Sequence, residues 1–321
     1  MFAQRPLTAS PFTARSLTRR SFLAGTAAAA LVPVLGGCNH AAPEARAPKL
    51  AGLRRTGGLV VAGHAWTWGK GTLFEAIDHT HAAGLDALEV YLMGMPISAE
   101  TGSAVLDEAT PDDLLDKVRA KCASAGVRIV NAYIGQKQWT RIGTDESALR
   151  RFFEFGRKMN LAGFTGEPAE YQWDLVERMV RAFDVTFSVH NHPRGFAAEY
   201  FRGEYRYWDP RYTATRLRGR DERFGVCLDT GHVARSGLDN VAVLREVGGR
   251  CLSAHLKDVN EPKPEAHDVP YGTGIVDVKA LLAGFRRLPL RGHVGLEYEW
   301  AESPTFGTDV TGLVGYIQAS A

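Results

Sequence analysis

The sequence predicts one (β/α)8 barrel, an α/β fold in which eight parallel strands close into a ring covered by helices. Three observations predict it. From Gly57 onward, apolar strand-like runs alternate with amphipathic helical stretches. Eight such runs fit within about 265 residues, near the roughly 250 usual for a single barrel. Ionisable residues gather late in those runs, at the end where such a barrel carries its chemistry. The rival is a doubly wound open sheet, which usually supplies G-x-G-x-x-G after its first strand. Here that place reads GHAWTWGKG, and neither a P-loop nor an internal linker occurs.

The first four strands read GLVVAGHAW (58–66), LDALEVYLM (85–93), VRIVNAYI (127–134) and LAGFTG (161–166). The second four read VTFSVH (185–190), FGVCLD (224–229), CLSAHL (251–256) and HVGLEYE (293–299). Helical stretches between them include TLFEAIDHTHAAG, PDDLLDKVRAKCASAG, ESALRRFFEFGRKMN, YQWDLVERMVRAFD and DVKALLAGFRRL. The first two end in glycine, a normal helix stop.

Residues 1–37 read as an export signal. Arg19 and Arg20 precede an apolar run, AGTAAAALVPVLGG, that is too short and too rich in alanine and glycine to span a bilayer permanently. With Ser21, Phe22 and Leu23 the paired arginines resemble a twin-arginine signal, which implies export of a folded chain to the periplasm or cell envelope. LGGC (35–38) resembles a lipobox, which implies a lipid anchor on Cys38; the alternative is cleavage near Ala41 and a soluble exported protein. Residues 38–56 then read as a flexible tether, and 57–321 as the catalytic domain.

The chain holds 38 basic and 36 acidic residues. Four arginines and no acids lie in 1–37, so 34 basic residues face 36 acids beyond it, a net charge of −2. No polyanion-binding field follows, which argues against nucleic acid as a partner and against a metal-dependent DNA-repair nuclease. Membrane contact is expected only through the signal or the lipid anchor. Cys122, Cys227 and Cys251 are odd in number and widely spaced, so buried thiols are expected rather than a disulfide framework.

The strand ends carry His64, Glu89, Glu167, His190 with His192, Asp229 with His232, His255 with Lys257, and Glu297 with Glu299. His255 and Lys257 are two apart, as are Glu297 and Glu299, so each pair shares a strand face. Carboxylates meeting in a dry barrel mouth need neutralising. A divalent ion does this, and Mn²⁺, Mg²⁺, Co²⁺ and Zn²⁺ all suit carboxylates plus imidazole. The preferred ligands are Glu167, Asp229, His255 and Glu297. His190 could replace Glu167, Glu299 could replace Glu297, and a metal-free set neutralised by Lys257 is the alternative. His64, Trp66, Glu89, His192, His232 and Glu299 are expected to contact substrate. Asp258 reads as a local ion-pair partner, and His79, His81 and His267 as surface residues. Trp66, Trp68, Tyr91, Tyr133, Trp139 and Trp300 crowd the same rim, a wall that suits a carbohydrate.

LEVY (88–91), HNHP (190–193), CLDTGH (227–232), HLKD (255–258), YGTGIVD (271–277) and LEYE (296–299) together resemble the sugar phosphate isomerase/epimerase superfamily, the xylose isomerase-like TIM barrels. The resemblance spans about Gly57 to Tyr316. It implies a divalent-metal site with Asp229, His255 and Glu297 in ligand positions, and a YGTG loop lying over the site. It also implies isomerisation or epimerisation next to a carbonyl. From the clustering of polar residues at the rim, Glu297 or His190 is expected to move the proton while Lys257 and His232 hold substrate oxygens. Many relatives place a glutamate on strand 5, where this chain has His190. The absence of a glycine-rich anion cradle favours a non-phosphorylated sugar, keto-sugar or cyclitol. The alternatives are a keto-sugar or 3-keto-glycoside lyase or dehydratase acting by β-elimination, and a non-catalytic carbohydrate-binding barrel.

Overall fold

Eight parallel strands close on themselves in chain order: β1 (Leu59–His64), β2 (Ala87–Tyr91), β3 (Arg128–Ile134), β4 (Gly163–Gly166), β5 (Thr186–His190), β6 (Phe224–Asp229), β7 (Cys251–Leu256) and β8 (Val294–Leu296). Each pairs in parallel with the next, and β8 pairs with β1 to seal the ring. This is the (β/α)8 barrel the alternation predicts. The computed structural model describes residues 49–69, 71–196 and 204–321. Arg19, Arg20 and Cys38 lie outside them. No helix among the described residues is long and apolar enough to cross a membrane.

The helices are α1 (Leu73–Ala82), α2 (Asp112–Ala125), α3 (Gln136–Ile142), α4 (Glu146–Lys158), α5 (Trp173–Phe183), α6 (Pro210–Arg216), α7 (Thr230–Arg235), α8 (Asn240–Val247), α9 (Val278–Arg287) and α10 (Phe306–Ala319). Their apolar stripes follow the helical period. Helix α5, for instance, buries Trp173, Val176, Met179 and Val180 against the barrel. Helix α2 stops at Gly126, whose φ of 66° is the left-handed cap that glycine tolerates best. Cys122, Cys227 and Cys251 are buried free thiols.

The ordered fold starts before Gly57. Residues 49–56, read from sequence as tether, close the barrel floor: Leu50 and Leu53 pack on Val60, Ala62, Ala87 and Val130. Lys49 Nζ donates to the Leu161 carbonyl at 2.9 Å, and Arg55–Thr56 pairs antiparallel with β1. Two leucines within a polar stretch were the signal for this floor.

Two irregularities in strand register matter at the other end. One falls between Leu88 and Glu89 on β2, the other between Val226 and Cys227 on β6. Such irregularities re-aim the side chains that follow. Here Glu89 ends up opposite Asn131, and Asp229 opposite His255.

Asp258 is not the partner of a nearby cation. Its carboxylate accepts backbone N–H groups from Val259, Gly272, Gly274 and Val276 at 2.9–3.0 Å, folding the YGTG loop around itself. A Cβ on Gly274 would collide with that carboxylate, which is why glycine stands there. An Asp258→Ala protein strands these donors and should be less stable by about 3 kcal/mol. The urea midpoint reads this directly, and an unchanged midpoint would show that the loop holds without Asp258.

Candidate metal centre

Asp229 ends β6 and caps α7, and its two oxygens have separate jobs. Oδ1 accepts the His232 backbone N–H at 2.8 Å. Oδ2 points into the barrel mouth, 3.3 Å from His190 Nε2, 3.0 Å from Lys257 Nζ and 3.9 Å from His255 Nδ1. Burial alone would raise this carboxyl, but His232, Lys257 and His190 around it hold it well below the usual range. Asn191 fixes its backbone on both sides, accepting the Asp229 N–H and donating to its carbonyl.

His255, opposite on β7, turns Nε2 toward Glu89 Oε2 at 3.0 Å and leaves Nδ1 facing Glu297 Oε2 at 3.1 Å. Glu89 is fully buried and also engages His293 Nε2 (2.6 Å) and the Asn131 amide (2.9 Å). His190 is arranged alike: Nδ1 meets Glu167 Oε1 at 2.9 Å, and Nε2 faces Asp229. Glu167 also pairs with His192. A carboxylate behind each imidazole fixes its ring and aims the other nitrogen inward.

Those inward nitrogens, with Asp229 and Glu297, form a set of four buried groups (His190, Asp229, His255 and Glu297) whose donor atoms all lie within 4.8 Å of one another. The sequence reading expected Glu167 as the fourth member. The structure places Glu167 in a separate group with His190 and His192, because its Oε1 is committed to His190 Nδ1 and His192 Nδ1.

The electrostatics fit a divalent cation. Around the mouth five carboxylates (Glu89, Glu167, Asp229, Glu297 and Glu299) face two fixed cations, Lys257 and Arg235. Two imidazoles reduce the deficit without closing it. Despite burial, hydrogen bonds to Asp229 and Glu167 raise His190 to about 10. His255 is raised well above its ordinary value, Glu89 and Glu297 being among the causes that outweigh burial. His255 Nδ1 and Glu297 Oε2 face each other at 3.1 Å without the geometry of a hydrogen bond. Two carboxylates and two backed imidazoles converging on one point are a donor set of the right chemistry. Lys257 Nζ contacts the same Asp229 and Glu297 oxygens at 3.0 Å, so ammonium and cation draw on shared acceptors.

Above the four lies a cavity of about 430 Å³, in the size range of small-molecule sites. His64, Trp66, His190, His192, His232, His255, Glu297 and Glu299 all line it, with Tyr91, Tyr133 and Arg235. Glu89 and Lys257, expected to meet substrate, are not among the lining residues; both are fully buried behind the wall. His64 Nδ1 accepts the Trp66 N–H at 3.3 Å, and burial lowers its pKa to about 4, so it is neutral. Burial likewise keeps His232 neutral. Trp139 packs on Phe187 in the core, Trp300 lies against His267, and no residue of the YGTG loop lines the cavity.

Four residues of the site escaped the sequence reading: Asn131, Arg235, Asp268 and His293. Arg235 donates to Glu299 and Asp268 at 3.1 and 2.8 Å. Burial raises Asp268 to about 7 against the pull of Lys257 and Arg235. His293 was within reach of parity, since it is two and four residues from Gly295 and Glu297. Arg235 follows His232 by three, on one helical face. Asp268 carries no such signal.

The fold is thus a closed (β/α)8 barrel with a four-donor acidic and imidazole cluster under its mouth. Residues 77–312 match the xylose isomerase-like TIM barrel family model, and the chain belongs to that family. A putative uncharacterized protein from Parabacteroides distasonis is similar (TM-score 0.60, 24% identity, 82% of this chain and 100% of that one). So is a sugar phosphate isomerase/epimerase from the same organism (TM-score 0.57, 14% identity, 82% and 94%). A xylose isomerase-like TIM barrel protein from Mycobacterium smegmatis, solved in complex with magnesium, matches with TM-score 0.59 and 12% identity over 84% and 98%. A comparison with curated protein sequences finds no match.

Glu89 stands outside the four, behind His255, and forms a second group of possible ligands with His64 and His255. Glu89→Gln should weaken divalent-ion affinity roughly 10- to 100-fold by loosening His255. Competition against a chromophoric chelator measures this, and unchanged affinity would show that Glu89 does not orient the ligand.

Proposed function

We propose that this protein is a metal-dependent isomerase or epimerase that moves a proton on carbon next to the carbonyl of a non-phosphorylated sugar, keto-sugar or cyclitol. The observation that carries the proposal is the convergence of His190, Asp229, His255 and Glu297 on one buried point at the cavity floor. These four would hold the ion. Bound there, it would offset negative charge on substrate oxygens while the neighbouring C–H bond is broken.

The chain's own groups do the rest. Glu297 lines the cavity, and Lys257 and His255, 3.0 and 3.1 Å from its Oε2, hold its carboxyl well below the usual range against burial. It is ionised and can take the proton, then return it to the adjacent carbon or to the other face. His232, neutral and lining the cavity, holds a substrate hydroxyl. Lys257 touches Asp229, Glu297 and Glu299 and positions them from behind. His190, backed by Glu167, serves the ion rather than the proton.

A neutral substrate is supported by the lining. Its one guanidinium among the described residues, Arg235, already donates to two carboxylates, and no lysine is among the described lining, so no free guanidinium or ammonium faces a phosphate there. Trp66, Tyr91 and Tyr133 supply ring faces for sugar C–H groups. With the twin-arginine-like signal, the reading places the protein in the periplasm or cell envelope, in contact with external carbohydrate.

Glu297→Gln should lower turnover by about 10²-fold or more, and Asp229→Asn should lower bound metal on elemental analysis. Mass-resolved assay of keto-sugars identifies the reaction. An isomer of equal mass supports the proposal, while loss of water or an alcohol assigns the same proton abstraction to β-elimination. Wild-type-like metal content and turnover in both variants would overturn the site.

A further inference from the structure

A second cavity, about 600 Å³ and larger than the first, adjoins the site along a shared wall. Trp66 and Glu299 line both cavities. The second lies outside the donor cluster and is bounded by Trp68, His79, Glu302 and Phe306. Resting on the reading of the inner site as a sugar site, we propose that this outer cavity is a second sugar subsite. The substrate is then a neutral glycoside of at least two units, with the reacting unit over the four donors and its neighbour against Trp66 and Trp68.

Trp66 carries the inference. It is 43% exposed, yet its backbone is tied down on both sides. Its N–H is held by His64 Nδ1. Thr67, the next residue, donates to the Leu296 carbonyl at 3.3 Å and accepts the Tyr298 N–H at 3.1 Å. The indole also leans edge-on against Tyr91, with ring centroids 5.1 Å apart. A large ring held rigidly and left half in water gains little for stability. At the junction of two cavities it is suited to take ring faces from both sides. Trp68 beyond it is stacked on His79 at 5.5 Å and 19°, which fixes a second aromatic surface along the outer cavity.

Charge selects the occupant. The described lining of the outer cavity includes Glu75, Glu299 and Glu302 and no lysine or arginine. Glu299 is already paired with Lys257 and Arg235, and Glu75 with Thr72, so these carboxylates accept from sugar hydroxyls alongside fixed partners, and the second unit is taken as neutral like the first.

The test is a binding titration that needs no turnover, so its outcome is separate from the proton-transfer reading, which metal analysis and product mass address. The full-length, metal-loaded protein is titrated with glucose, galactose, maltose, cellobiose, trehalose and lactose by calorimetry. At least one disaccharide should bind tenfold or more tightly than either monosaccharide. Ala301→Trp places a ring in the outer cavity from an exposed position and should cut that preference at least tenfold, and Trp68→Ala should reduce it about fivefold. Equal affinity for one- and two-ring sugars, no binding of any, or a preference that survives both variants would overturn the second subsite.

Discussion

The mouth of this barrel depends on settling excess negative charge out of contact with water. Glu89, Glu167, Asp229 and Glu297 are all buried, and an isolated ionised carboxylate in such surroundings costs many kcal/mol. Each is therefore tied to a specific partner. Glu89 takes His255, His293 and Asn131; Glu167 takes His190 and His192; Asp229 and Glu297 share Lys257. The fold around them is organised to hold these pairings. Both register irregularities directly precede Glu89 or lie two residues before Asp229, and Thr230 Oγ1 donates to the Lys257 carbonyl at 2.8 Å, which ties the start of α7 to the end of β7.

The same requirement explains why the cluster has two layers. A protonated imidazole between two carboxylates can donate to both and offset one of their charges, but only if its orientation is fixed. Behind His255 stands Glu89, and behind His190 stands Glu167. Residues that resemble ligands thus divide into those that face the common point and those that aim them. Glu167 is as acidic and as buried as Glu297, and geometry alone assigns it to the outer layer.

This division marks how far the sequence can be read. The barrel was legible because strand and helix periods alternate cleanly, and Asp229, His255 and Glu297 were legible because each closes an apolar run. Choosing between Glu167 and His190 was not legible, since both end neighbouring strands and their separation depends on side-chain direction across β4 and β5. Asp268 was hidden because it lies on a short hairpin strand, Asp268–Val269, far along the chain from Arg235 and Glu299, and is brought to them by the loop that Asp258 folds. The floor formed by residues 49–56 was read as tether because its composition is polar and only two leucines make the contact.

Lys257 is where these constraints meet. A fully buried ammonium survives only because Asp229, Glu297 and Glu299 surround it, and their field holds it charged despite burial. It gives the carboxylates a countercharge before any ion arrives, so the chain can fold with the donors already gathered. An ion held by the four donors would draw on its Asp229 and Glu297 contacts, and Glu299, at 2.7 Å, would remain its acceptor. Because Glu299 is shared with Arg235 and lines both cavities, the ammonium links the donor cluster to the rim of both cavities. One residue past β7 therefore ties the buried carboxylates to that rim by a single charge.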